Sequence, residues 1–199
     1  MAMACLKMGS WVGRVEVVNS DECWDLLDVD GRPTGRTAQR VTDGGDPSGG
    51  LGPGDWHRVV AICVFNSQGQ LLIQQRAADK VGWPNAWDLS AGGSVLAGET
   101  SQEGAARELC EEIGITHDFT GQRPVLTLTG NRGFFDIYLV DADPDLASLE
   151  LQAEEVQAVQ WASLPQVLAL IKQGHFWDFS ISLIELIFGL HENGIGDLI

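Results

Sequence analysis

The segment that most constrains this chain runs from Gly92 to Ile115, GGSVLAGETSQEGAARELCEEIGI. Two glycines, a short polar loop and a helix-length stretch follow one another without a proline. Ala106, Leu109 and Ile113 recur at i, i+3 and i+7, so residues 100–113 are predicted to form a helix with one apolar face. Gly114 supplies its stop. The same helix carries Glu108, Glu111 and Glu112, whose spacing puts Glu108 beside both of the others. Like charges placed this way cost a helix about 0.2–0.5 kcal/mol per pair, so roughly 0.4–1 kcal/mol for two pairs. Arg107 is positioned to offset part of that through Glu103 or Glu111. With the apolar face turned inward, the carboxylates are expected on the other side of the helix, as a compact set of hard oxygen donors. Mg²⁺ and Mn²⁺ prefer such ligands. The preceding glycines let the backbone approach a ligand closely and free a carbonyl for coordination.

Around this segment the chain alternates strand-like and turn-like stretches. Residues 15–18 and 24–29 read as short strands, with Asp30-Gly31 a hairpin-type turn followed by Arg32-Pro33 and Thr34-Gly35. Residues 42–54 (TDGGDPSGGLGPG) read as a loop. Apolar runs at 59–65 and 70–76, joined by Asn66-Ser67-Gln68-Gly69, predict a hairpin. Residues 87–91 predict a short strand that ends at Gly92-Gly93. Further strands are expected at 125–129, 134–140 and 156–161, and helices at 163–173 and 179–191. Many strands, an interior helix, more strands and two closing helices indicate one α/β (α+β) domain with a single sheet system and flanking helices.

Composition limits the partners. The 28 Asp and Glu outnumber the 12 Lys and Arg, for a net charge of −16. Nucleic-acid polymers and anionic membranes, which are bound through clustered cations, are therefore poor candidates. No stretch reaches the ~18 apolar residues of a membrane span, and residues 1–18 lack a continuous apolar segment with a cleavage site. Cys5, Cys23, Cys63 and Cys110 form no CxxC pair and are expected to be free thiols. A cytoplasmic setting follows.

The central segment resembles the Nudix signature at every fixed position: Gly93, five residues, Glu99, seven residues, Arg107-Glu108-Leu109, any residue, Glu111-Glu112, any residue, Gly114-Ile115. The resemblance implies a Nudix-type α/β/α sandwich with a mixed β-sheet and flanking helices. It covers residues 15–175, with a signature box at 93–115, an N-terminal extension at 1–14, and a closing helix within 176–199 that packs on the domain or at a dimer contact. It implies hydrolysis of a diphosphate linked to a moiety X, with nucleoside di- or triphosphates leading and other organic diphosphates following. Glu108, Glu111 and Glu112, joined by the carbonyl of Gly92, are then the ligands of Mg²⁺ or Mn²⁺. Glu99 and Arg107 orient loop and helix by a salt bridge. The chemistry fits, because divalent ions cancel phosphate charge and lower the pKa of water, leaving the protein to position and stabilise.

The stretch before the signature, from Trp56-His57-Arg58 through FNSQGQLLIQQR to WPNAWDLSAGG, resembles the isopentenyl-diphosphate isomerase-like branch. Isomerases place a catalytic Cys just before the signature glycine and a metal-binding His just after it. Here those positions hold Gly92 and Ser94, and the signature is intact, which points to hydrolysis. An isomerase-like enzyme and a non-catalytic nucleotide sensor remain the alternatives. Outside the signature, Arg76 and Lys80 are candidate phosphate contacts. Trp83 and Trp87 are candidates for stacking on X, with core packing the other role for Trp87. His57 and Ser94 are candidate substrate contacts. Glu155 or Glu154 is the candidate for an additional carboxylate acting as ligand or base. Phe134, Phe135 and Asp136 begin a strand placed to line the pocket. The expected assembly is a monomer or homodimer acting on a small diphosphate.

Overall fold

The computed structural model describes residues 19–41, 51–80, 82–130 and 133–194. The predicted strand at 15–18, the extension at 1–14 and most of the loop at 42–54 lie outside them. An antiparallel hairpin opens the described chain, β1 (Asn19–Leu27) with β2 (Pro33–Val41). β2 is not expected from the sequence, because residues 33–37 are exposed and carry no apolar alternation.

A seven-stranded mixed sheet follows: β3 (His57–Phe65), β4 (Leu71–Arg76), β5 (Trp87–Asp88), β6 (Ala91–Ser94), β7 (Leu126–Thr129), β8 (Gly133–Asp141) and β9 (Val156–Ala162). The central pair β3–β8 is parallel, from His57 opposite Gly133 to Phe65 opposite Asp141. The other pairings are antiparallel. Side chains of β3 alternate strictly. Val60, Ile62 and Val64 pack with Ala105, Leu109 and Ile113 of α1 (Ser101–Ile113). Ala61, Cys63 and Phe65 pack with Val167 of α2 (Leu164–Lys172) and Ile184, Ile187 and Phe188 of α3 (Ile181–Asn193). Period-two alternation thus puts one helix on one face and two on the other. Among the described residues no helix is long and apolar enough to cross a membrane.

The sheet is split at its middle. β3 and β4 are registered at Phe65 opposite Leu71 and then diverge. β6 takes the freed edge of β3, Val59–Ile62 opposite Ser94–Ala91, while β5 and β9 pair with β4. The single strand expected at 87–91 is therefore two strands that serve different partners. Ser90 makes the break. Its buried hydroxyl donates to the Leu72 carbonyl at 2.6 Å and accepts from the Val64 N–H at 2.8 Å, tying both sides of the split together.

Candidate active site

The helix that carries the acidic cluster is fixed by local rules at both ends. Thr100 caps it, its hydroxyl accepting from the Glu103 N–H while the Glu103 carboxylate accepts from the Thr100 N–H. Gly114 ends it in the left-handed conformation, φ 72°. Its first turn is fastened to the sheet through Asp136. This buried carboxylate accepts from Ser101 and Thr127, each at 2.6 Å, and pairs with Arg58 at 2.6 Å. Asp136, expected to line a pocket, is instead an anchor.

A cleft of about 270 Å³ opens where β3 and β4 diverge. Glu112 sits at its base and is 5% exposed. One carboxylate oxygen accepts from the Gly92 N–H of β6 at 2.9 Å and from the Gln74 amide of β4 at 3.0 Å, so this side chain bridges the two sides of the split. The expectation that the acidic cluster lies away from the apolar face is corrected here. Glu112 neighbours Ile113 and is buried with it, Glu108 is largely buried, and Glu111 is the exposed member. The reason is the split, which admits a polar side chain beneath the helix at the one place where strand groups stand ready to bond it. Burial first, and the neighbouring Glu108 charge second, push the Glu112 carboxyl up to about 8. Burial also raises Glu108, although Arg107 pulls the other way.

The two glycines fit this arrangement sterically. A Cβ at Gly92 would stand 2.7 Å from the Val60 carbonyl oxygen, and one at Gly93 would overlap the Glu108 carboxylate. Arg107 is the hub. Its guanidinium holds Glu99 with two bonds (2.8 and 3.1 Å), Glu108 at 2.8 Å, Glu111 at 3.1 Å and the Ser94 carbonyl at 2.9 Å. Of the two partners expected for Arg107 along the helix, Glu111 is engaged, whereas Glu103 serves the cap. Glu99 also accepts from the Leu96 N–H at 2.9 Å. Burial works to raise the Glu99 carboxyl, but Arg107 and that N–H outweigh it and hold it below the ordinary range.

Arg76 and Lys80 line the wall on the β4 side. Arg76 lies over the Trp177 ring at 4.5 Å and pairs with Asp88 at 3.5 Å, and Lys80 pairs with Glu155. Of the two candidate glutamates, Glu155 lines the cleft and Glu154 does not. Ser94 lines it too. Trp83, Trp87 and His57 do not. Trp83 is 42% exposed and tilts against Trp177, Trp87 packs half-buried against the core cluster that α2 and α3 share, and His57 stacks on Trp24 at 4.4 Å. The aromatic surface of the cleft comes instead from Phe135, Trp177 and Phe179. Sequence reading passed over Trp177, Asp88, Gln152, Glu22 and Arg40, all of which line the cleft. Asp88, raised by burial to about 6 against the pull of Leu89 N–H and Arg76, had one sequence signal: a carboxylate between two apolar residues of an expected strand.

As they stand, no three acidic, His or Cys side chains among the described residues enclose a single ion position, and Glu108 and Glu111 both bond Arg107. The donor set nevertheless suits a hard divalent cation. It is all oxygen, it concentrates raised carboxyls in a partly dry cleft, and it leaves the Gln74 carbonyl oxygen buried without a partner beside Glu112.

Residues 55–182 match the NUDIX domain family. A Listeria monocytogenes Nudix hydrolase, itself termed uncharacterized, is 44% identical over 155 residues, covering 78% of this chain and 88% of the relative. An isopentenyl-diphosphate Delta-isomerase of Escherichia coli is 29% identical over 150 residues, covering 72% and 78%. The crystal structure of a Deinococcus radiodurans protein superposes with a TM-score of 0.65 at 28% identity, over 82% of this chain and 98% of that one. The chain belongs to the Nudix hydrolase family, and its mixed sheet with three helices is the Nudix α/β fold.

Proposed function

We infer that this protein is a Mg²⁺- or Mn²⁺-dependent hydrolase that cleaves the diphosphate linkage of a small substrate by attack of water on phosphorus. One observation carries the reading: two largely buried glutamates, Glu108 and Glu112, lie together at the base of a cleft whose wall also presents Arg76 and Lys80. Buried like charges are costly unless a cation compensates them, and phosphate is the ligand that brings both charges into balance. The Gly92 carbonyl with Glu108, Glu111 and Glu112 would hold the ion. When bound, it supplies charge neutralisation and a more acidic water.

The chain's own groups do the rest. Arg107 fixes Glu99, Glu108 and Glu111 relative to one another. Arg76 and Lys80 bind the phosphate oxygens. Glu155, paired with Lys80 at the cleft wall, accepts the proton of the attacking water. Phe135, Trp177 and Phe179 give X an apolar surface, a role first assigned from sequence to Trp83 and Trp87. Nucleoside di- and triphosphates lead as substrates, followed by other organic diphosphates. The test is a substrate panel with Mg²⁺ and with Mn²⁺, scored by phosphate and pyrophosphate release. Release that requires the ion supports the reading, and no release from any member overturns it. Conversion of isopentenyl diphosphate to its dimethylallyl isomer would replace it with an isomerase.

A further inference from the structure

The loop between β6 and α1 carries Glu99, the residue that holds Arg107, and each of its backbone N–H groups has a definite acceptor. Val95 N–H donates to the Arg58 carbonyl at 2.9 Å. Leu96 N–H donates to the Glu99 carboxylate at 2.9 Å, and Glu99 N–H returns to the Leu96 carbonyl at 3.0 Å. This last bond closes a four-residue turn, Leu96–Glu99. Gly98, its third residue, has φ 84°, and Ala97, its second, keeps a negative φ, which defines a type II turn. Such a turn bonds its outer residues to each other, so the N–H groups of its two central residues must find acceptors elsewhere.

Both acceptors come from the N-terminal hairpin, which lies outside the residues that match the family. The Ala97 N–H donates to the Cys23 carbonyl at 2.7 Å, and the Gly98 N–H donates to the Asp25 carboxylate at 2.8 Å. The hairpin is itself fixed to the domain. Trp24 and Leu26 are buried with Leu51, Leu96 packs against that cluster, and Leu27 exchanges backbone bonds with Trp56. Cys23 supplies a backbone group to the turn, so Asp25 is the residue whose identity matters, and its bond is of the stronger, charge-assisted kind. The consequence runs through Glu99. Its carboxylate takes two bonds from the Arg107 guanidinium, which also bonds Glu108 and Glu111. Three carboxylates share one guanidinium, so where Glu99 stands decides how the other two are held.

We propose that Asp25 is a positioning residue of the acidic cluster: it fixes the Leu96–Glu99 turn and, through Glu99 and Arg107, the relative placement of Glu108 and Glu111. The proposal rests on the reading of that cluster as the site of a divalent ion and adds the hairpin as the part of the chain that tunes it. A merely structural Asp25 behaves differently, because its loss then lowers stability without reaching Arg107 or the ion.

Two readouts on the full chain test this, and neither needs a substrate. In the ion-free protein, NMR follows solvent exchange of the Arg107 Nε–H, which donates to Glu99. Asp25→Ala should speed that exchange several-fold, and Asp25→Asn, which keeps an oxygen acceptor for Gly98, should restore most of the protection. Binding of Mn²⁺, followed by the spin-resonance signal of the free ion, should weaken about 10-fold in Asp25→Ala. It should stay near wild type in Asp25→Asn. The double variant Asp25→Ala/Glu99→Gln should bind Mn²⁺ no more weakly than Glu99→Gln alone, because both changes act along one path. Asp30→Ala, at the hairpin turn where Asp30 pairs with Arg32, removes the same charge and should change neither readout. Gly98→Ala strains the same turn from the loop side, where space is open but φ is positive, and should act in the direction of Asp25→Ala. Thermal melts confirm that the variants fold. Unchanged exchange or unchanged Mn²⁺ affinity in Asp25→Ala, an equal effect of Asp30→Ala, or additive effects of Asp25→Ala and Glu99→Gln would overturn the proposal. Exchange that responds as expected in a wild type that binds no Mn²⁺ would uphold the hairpin's hold on Arg107 while removing the ion-site reading.

Discussion

α1 and α3 are both 13 residues long and obey the same local rules, yet they serve opposite purposes. Each starts at a hydroxyl cap, Thr100 or Ser180, that accepts from the backbone three residues on, and each is followed by a glycine with positive φ. The difference lies in what they bury. α3 puts Ile184, Ile187, Phe188 and Leu190 against the sheet. α1 buries Leu109 and Ile113 but adds Glu112 to the same interface. One helix is there to hold the fold together. The other gives up part of that stability to keep a carboxylate where water cannot screen it.

The contrast is open to direct tests. The largest effect is expected at Phe188, whose ring meets Phe65 edge-on at 5.1 Å. Phe188→Ala should cost about 3–5 kcal/mol in urea unfolding, while the residual folded enzyme keeps its KM. Glu112→Gln should do the reverse. Turnover should fall on the order of 10²-fold, equivalent to about 2.7 kcal/mol, with no loss of melting temperature, because the amide keeps the contacts to Gly92 and Gln74 without a buried charge. A loss of stability without a loss of turnover would show that α1 and α3 do the same job.

The third test is the pH dependence of the ion-free protein. Glu112 titrates near 8 when folded and near 4.5 when unfolded. Below 4.5 both states hold the proton. As pH rises from 4.5 to 8 only the unfolded state releases it, so stability should decline by at most about 1.4 kcal/mol per pH unit and level off above 8. Melts between pH 5 and 8 should show this decline, Glu112→Gln should reduce it, and Mg²⁺ should flatten it. Ion affinity should rise over the same range, because the cation must displace the proton. The smallest effect sharpens the likeness rather than the difference: Thr100→Ala and Ser180→Ala should each cost about 1 kcal/mol, measured by thermal unfolding.

Much of this was legible in the sequence for a physical reason. The interior helix, the β3–β4 hairpin at Asn66–Gly69 and the two closing helices follow from periodicity and caps, which are local. The Nudix box was legible because its glutamates are spaced along one helix. What was hidden is what depends on distant partners. β6 looked like a turn because Gly92 and Gly93 are poor strand formers, yet they are what lets the strand lie against β3 and Glu108. The burial of Glu112 needs Gln74, far away in sequence, to become visible. Trp87 and Trp177 look equivalent as aromatic residues. Both pack half-buried against the same core cluster, and Trp177 also lines the cleft.

The close approach at Gly92 also limits the routes by which this protein can change. Isomerases of the resembling branch set a thiol at that position, but here any side chain would strike the Val60 carbonyl at 2.7 Å. A side chain at Gly92 therefore requires the backbone to shift. β6 would first have to move off β3, disturbing the backbone N–H that holds Glu112. The spacing of β3 and β6 thus ties the smallness of residue 92 to the bond that holds Glu112.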